Sequence, residues 1–212
     1  MRKILHVENH GIVRLATRYL ISELESSFEF YEATSFGETL QLLETHQLDL
    51  LIMDVLIPQG EGFRMIAKIR EIQANVPILV LTQLPEELYA IHYLKAGANG
   101  FISKSASNND IRNAIQAVMN TVGFVSNRIQ KQLINNSFDK NMHANPLGTL
   151  SQRELEVMEM LLDSRWTKEI AQKLSITESS VSTYKARIFE KLKVSSMIEL
   201  YIKVESIKNT GH

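Results

Sequence analysis

The sequence predicts two architectures in one chain of 212 residues: a doubly wound parallel α/β domain, then a small all-helical domain. Three observations predict this. Over the first 120 residues, five short apolar segments alternate with five segments of helical spacing, the signature of a parallel sheet with helices on both faces. Strand signals stop after residue 149. Capping boxes, Ser35-x-x-Glu38 and Ser151-x-x-Glu154, mark a helix start in each half.

The predicted strands are residues 3–7, 28–33, 48–53, 77–82 and 100–103. They are short, apolar and bounded by polar or turn residues, and several read as buried on both faces. Helical spacing covers residues 13–22, the segment after Ser35, residues 61–71, a segment opening at Pro85, and residues 108–119. Pro85 suits a first-turn position, where its missing N–H would be unpaired anyway. Residues 126–135 read as a short amphipathic helix, and the Asn-rich stretch 136–146 reads as a linker. Helices follow at 151–162, 167–174, 178–192 and 196–207, with Leu150 and Leu155 at staple positions around the second box. This domain of about 64 residues is near the lower size for folding alone. The expected bounds are 1–122, a linker with a short helix at 123–148, and 149–212.

Composition excludes several classes. Cysteine is absent, which removes disulfide frameworks, thiol nucleophiles and thiolate zinc sites. The start of the chain has no signal-peptide core, and no apolar run is long enough to span a bilayer, so a cytoplasmic protein is expected. The formal charge of −1 hides an asymmetry: residues 1–120 carry net −4, whereas residues 165–193 carry net +4.

Ligands of an open parallel sheet bind outside the carboxyl ends of its strands. The strands deliver Glu8 and Asn9, Asp54, Thr82 and Lys104 to that edge. These types suit phosphoryl transfer to a carboxylate. Asp54 is the nucleophile, forming an acyl phosphate. Glu8, Asn9 and Asp54 offer hard oxygen ligands to a divalent cation such as Mg²⁺. Thr82 is placed to hydrogen-bond a phosphoryl oxygen, and Lys104 to pair with another as a point charge.

This half resembles the receiver domain of bacterial two-component response regulators, a flavodoxin-like fold. The resemblance is carried by Val7-Glu8-Asn9-His10 with Val13-Arg14, Asp54-x-x-x-Pro58-x-x-x-Gly62, Leu81-Thr82, and Gly97-Ala98-x-Gly100-Phe101-Ile102-x-Lys104. It implies that Asp54 is the phosphoacceptor, Thr82 and Phe101 the switch pair, and Lys104 the phosphate-binding lysine. A sensor histidine kinase is the implied phosphodonor. The sequence departs from the family at Asn9, where a second acid is usual, and at Gln83, where a small residue is usual. The first weakens Mg²⁺ binding by removing one negative ligand; the second crowds the pocket. A receiver that works without phosphorylation is the alternative these departures leave open. Phe101 replaces the commoner Tyr.

Residues 167–174, a turn at 175–177, and residues 178–192 read as a helix-turn-helix, with Thr177 as N-cap of the second helix. At about 100° per residue, Val181, Tyr184, Ile188 and Leu192 form one stripe. Ser182, Thr183, Ala186 and Glu190 lie opposite, with Lys185 on one flank and Arg187 and Lys191 on the other. Small polar residues between basic edges suit a helix in the major groove, the cations on phosphates and Ser182 and Thr183 at base edges. The domain resembles the LuxR/FixJ-type DNA-binding domain through Leu150-Ser151-x-Arg153-Glu154-x-Glu156-Val157, Lys168-Glu169-Ile170-Ala171-x-x-Leu174, Val181-Ser182-Thr183-Tyr184-Lys185 and Lys191-Leu192. That resemblance implies double-stranded promoter DNA as partner, Lys168 on a phosphate, and residues 196–207 as a dimerisation helix reading paired half-sites. Trp166 reads as a packing or interface residue rather than a DNA contact.

A non-enzymatic regulator is therefore expected. An Asp-nucleophile phosphohydrolase is the rival from another class, but such enzymes place a second acid two residues after the nucleophile, where this chain has Leu56. A nucleotide-binding module would need a Gly-rich loop after the first strand, and none is present.

Overall fold

The computed structural model describes residues 1–127, 129, 130 and 146–209. The chain divides into two compact units, Met1–Lys131 and Gln132–His212. Of the expected helix at 126–135, residues 127, 129 and 130 are helical and residue 126 is not; residues 128 and 131–135, and the linker up to residue 145, lie outside the described residues.

In the first unit, β1 (Arg2–Val7), β2 (Phe28–Ala33), β3 (Leu50–Met53), β4 (Ile78–Thr82) and β5 (Gly100–Ser103) form one parallel sheet of order β2-β1-β3-β4-β5. Between them run α1 (Gly11–Leu24), α2 (Phe36–Thr45), α3 (Arg64–Ile72) and α4 (Glu86–Lys95), and α5 (Asn108–Met119) follows β5. The strand order reverses between β1 and β3, so a crevice opens beyond their carboxyl ends.

Both faces of the sheet are buried, as its unbroken apolar strands require. Ile4, Leu50, Ile52, Leu79, Leu81 and Ile102 pack with Leu20 and Ile21 of α1 and Ile111, Ile115 and Val118 of α5. Residues of the other parity, including Leu5, Leu51, Met53, Val80 and Phe101, are equally buried and point to the opposite face. Gly100 permits the approach of α5, since a Cβ there would lie 2.7 Å from Val118 Cγ2.

Local chemistry explains the boundaries. Ser35 Oγ accepts the Glu38 N–H, but the Glu38 carboxylate turns to Thr34, taking its N–H and hydroxyl, so the reciprocal half of the expected box shifts by one residue. Helix α3 starts at Arg64 rather than 61 because Gly62 has φ +59°, outside the helical region. Pro85 is the N-cap of α4 and not its first-turn residue; its ψ of 126° is extended.

The second unit holds α6 (Gln152–Leu162), α7 (Thr167–Leu174), α8 (Glu178–Leu192) and α9 (Met197–Asn209), preceded by a 3-10 turn at Pro146–Thr149. The Ser151 box is complete: Ser151 Oγ accepts the Glu154 N–H, and Glu154 Oε2 accepts the Ser151 N–H. Leu150 and Leu155 are both buried beside it. Thr177 caps α8 by accepting the Ser180 N–H. Ser175 closes α7 in the left-handed conformation, which turns the chain into α8. Val181, Ile188 and Leu192 are buried on α8, and Tyr184 is half-buried.

Candidate functional site

Four strand ends build one polar cluster. Each residue there is fixed by a ladder bond: Glu8 N–H to Ala33 O, Asp54 N–H to Val7 O and Lys104 N–H to Thr82 O, at 2.8–2.9 Å. Thr82 is the last residue of β4. The backbone pairing of β1, β3, β4 and β5 therefore sets where the four side chains emerge.

Asp54 is the centre. Its Oδ1 accepts the Thr82 hydroxyl at 2.7 Å and the Leu56 N–H at 3.0 Å. Its Oδ2 pairs with Lys104 Nζ at 2.6 Å. The same ammonium pairs with Glu8 Oε2. Glu8 Oε1 accepts the His10 N–H at 2.9 Å and contacts His10 Nδ1 at 2.8 Å. Glu8, Asp54 and Thr82 are buried, and Lys104 exposes a tenth of its side chain.

Burial pushes the Asp54 carboxyl up, but the hydrogen bonds from Lys104, Leu56 and Thr82 outweigh it and hold the group below its ordinary value. Glu8 follows the same balance: burial raises it, and Lys104 and His10 bring it below the ordinary range. Both carboxylates are thus ionised at neutral pH, with one ammonium between them. Asp54 is an anion with its lone pairs oriented, which is what a carboxylate nucleophile needs.

The structure unites Glu8, Asp54, Thr82 and Lys104 and leaves Asn9 out. Asn9 is exposed, and its amide makes no hydrogen bond to the cluster among the described residues. Gln83 is exposed next to Thr82. Phe101 is buried, its ring 5.7 Å from that of Tyr93, which packs in turn on Phe63 at 4.4 Å. Three parts of the site escaped the sequence reading: the Leu56 N–H, His10 on Glu8, and Arg14, whose guanidinium donates to Glu8 O at 2.6 Å and to Glu32 at 3.0 Å. His10 is a polar residue at a strand end and was open to the same argument as Asn9. The Leu56 amide carries no signal in residue type.

As a cation site the donors fit Mg²⁺, with a low charge count. Glu8 and Asp54 present hard carboxylate oxygens side by side, and a cationic group already lies between them. No group of three His, Cys, Asp or Glu side chains able to hold a metal occurs among the described residues. A third ligand would have to come from a neutral oxygen such as that of Asn9.

In the second unit, Lys168, Ser182, Thr183, Ala186 and Arg187 are exposed, and Lys185 is half-exposed with its ammonium 5.5 Å from the Phe189 ring centroid. The Ser182 and Thr183 hydroxyls donate back to the carbonyls of Glu178 and Ser179. Lys191 is not an uncommitted cation: it pairs with buried Glu154 at 2.7 Å and donates to Thr149 O at 3.2 Å. Trp166, read as a packing or interface residue, is 78% exposed in the chain.

The family model of the response regulator receiver domain matches residues 4–116, and that of the bacterial regulatory proteins, luxR family, matches residues 148–204. The chain is a LuxR-family response regulator. It is similar to the Fimbriae Z protein of Salmonella typhimurium, 32% identical over 93% of both chains. It is also similar to the DNA-binding transcriptional activator EvgA of Escherichia coli strain K12, 32% identical over 92% of this chain and 93% of that one. In fold it matches RcsB from Salmonella enterica serovar Typhimurium, solved bound to promoter rprA with phosphomimetic BeF3-, at a TM-score of 0.77 and 21% identity, covering 96% of this chain and 98% of that one. This response regulator thus joins a flavodoxin-like receiver domain to a LuxR-type helical domain. No helix among its described residues is long and apolar enough to cross a membrane.

Proposed function

We propose that this response regulator is a cytoplasmic, DNA-binding transcription factor whose receiver is phosphorylated on Asp54 by a sensor histidine kinase. The carrying observation is the grip on one buried carboxylate by Thr82 Oγ1 and Lys104 Nζ, with Glu8 alongside. The receiver is taken as residues 1–122, the linker as 123–148 and the DNA-binding domain as 149–212.

In the proposed step an Asp54 carboxylate oxygen attacks the phosphorus of a phosphohistidine. The P–N bond breaks, the imidazole leaves, and an acyl phosphate forms. Lys104 exchanges its pairing with Asp54 for a phosphoryl oxygen, and the Thr82 hydroxyl turns to another. Glu8, Asp54 and Asn9 are the residues that would hold Mg²⁺, which offsets negative charge on the transferring group. Withdrawing Thr82 from Asp54 shifts the end of β4, and the buried Phe101 ring follows as the second member of the switch pair. The product is a regulatory state of the chain itself, so no enzymatic turnover is assigned.

The DNA-binding surface is α8, with Ser182 and Thr183 toward bases and Lys185, Arg187 and Lys168 toward phosphates. Lys191 contributes by holding α8 against the Glu154 cap. Helix α9 exposes Ile198, Tyr201 and Ile202 on one side, an apolar face suited to a second copy of the chain. A homodimer then reads two half-sites of promoter DNA.

Mapping genomic binding with and without Asp54→Ala tests the whole reading. Occupied promoters that depend on Asp54 support it. A second reading, DNA binding without phosphorylation, is favoured by Asn9 standing outside the cluster. It predicts the same occupancy for both chains.

A further inference from the structure

Trp166 has neither of the usual reasons for a tryptophan at its position. It is the N-cap of α7, where Ser, Thr, Asp or Asn normally supply a side-chain oxygen. Its indole can accept no such bond; the local cap is made by Glu169, whose carboxylate accepts the Trp166 N–H at 2.8 Å. Nor does the ring pack, being 78% exposed. Arg165 and Lys168, on either side, are also exposed. An amphipathic ring with one N–H, set among cations, matches a surface that alternates apolar sugar and anionic phosphate.

We infer that the Trp166 indole lies on the sugar–phosphate backbone of the bound duplex, at the start of the first helix of the helix-turn-helix. The inference rests on the DNA-binding reading above. In a helix-turn-helix the first helix crosses the backbone while the second enters the groove, so the start of α7 is where a non-base contact belongs. The ring buries one face against deoxyribose, and Nε1–H donates to a phosphate oxygen. Because it touches no base, Trp166 adds affinity without sequence preference. Since its main contribution is apolar, it leaves the salt dependence almost unchanged.

The chain contains a single tryptophan, so its emission reports on this residue alone. The full-length protein is titrated at low salt with a fluorescein-labelled pool of random-sequence 30-base-pair duplex, reading label anisotropy. A parallel titration with unlabelled pool reads indole emission and its accessibility to acrylamide. The expected result is a rise in anisotropy with a matching loss of acrylamide access. Trp166→Ala should weaken binding about five- to tenfold on every duplex, with the salt slope kept, and Trp166→Phe should recover most of the loss. Rising anisotropy with unchanged acrylamide access overturns the contact and leaves DNA binding standing. No rise for any duplex removes the DNA-binding reading and the contact with it. Circular dichroism of the variants separates lost contact from lost fold, and the wild-type titration decides the question without them.

Discussion

Lys104 Nζ lies 2.6 Å from Asp54 Oδ2 and pairs at the same time with Glu8, so one ammonium holds two buried carboxylates together. Replacing it by Met should leave two anions adjacent in a low dielectric, at a cost of about 3 kcal/mol. The contribution of the two carboxyls to the pH dependence should also change sign. In the native protein both carboxyls sit below their ordinary values of 4.5 and 3.8, so their stabilising contribution is complete above that range and fades as pH falls through the lowered values. Without Lys104, burial dominates and raises both groups. Relative to the native protein, Lys104→Met should therefore gain stability between pH 7 and pH 5, on top of the loss both share as pH falls because burial holds His6 down at about 4. Denaturant unfolding across that interval measures it, and parallel profiles for the two proteins would remove the ion pair from the account.

Asn9 follows Glu8 in the chain and is exposed outside the cluster, and as a metal ligand it would offer only a neutral oxygen. Asn9→Asp adds a negative charge to the cation site and should lower the Mg²⁺ concentration for half-maximal phosphorylation by acetyl phosphate by about tenfold. An unchanged Mg²⁺ requirement would place the metal ligands elsewhere.

On the helical domain, Lys185 and Lys191 should behave differently although both are basic residues of α8. Lys185→Ala should weaken DNA binding across sequences and flatten the salt slope by about one unit. Lys191 is committed to Glu154, whose carboxyl burial raises and Lys191 and Ser151 bring below its ordinary value. Lys191→Met should cost about 1–2 kcal/mol of stability and leave the salt slope alone. Equal slope losses for the two would return Lys191 to the phosphate contacts.

Thr183 faces out from α8 with its hydroxyl resting on Ser179 O. Thr183→Ala should alter base preference in a binding selection while changing affinity for random duplex less than twofold. A uniform loss on all sequences would make it a backbone contact.

The strand ends were legible because a parallel sheet leaves few places for polar residues. Glu8, Asp54, Thr82 and Lys104 each follow or end an apolar run, and the carboxyl-edge rule brings them together. Helix starts at Ser35, Ser151 and Thr177 were readable through their caps, and most boundaries fall within three residues of the spacing. Other features depend on tertiary placement. The Leu56 N–H owes its position to the loop after β3. The Lys191–Glu154 pair joins residues 37 apart, and a helical wheel of α8 places Lys191 on a flank without showing what faces it. Trp166 reads by residue type as a packing or interface residue, and its exposure at the start of α7 shows only in the structure.

The central claim, that Asp54 is the phosphoacceptor of a switch that controls DNA binding, is tested most directly on one sample. Purified protein is incubated with acetyl phosphate and Mg²⁺, analysed by intact mass, and titrated with duplex carrying a selected site. The account predicts a single hydroxylamine-labile phosphoryl group, lost in Asp54→Ala, together with a change in affinity that appears only in the chain that gains it. Absence of that group with acetyl phosphate and with the cognate kinase, or the same affinity with and without it, would contradict the account.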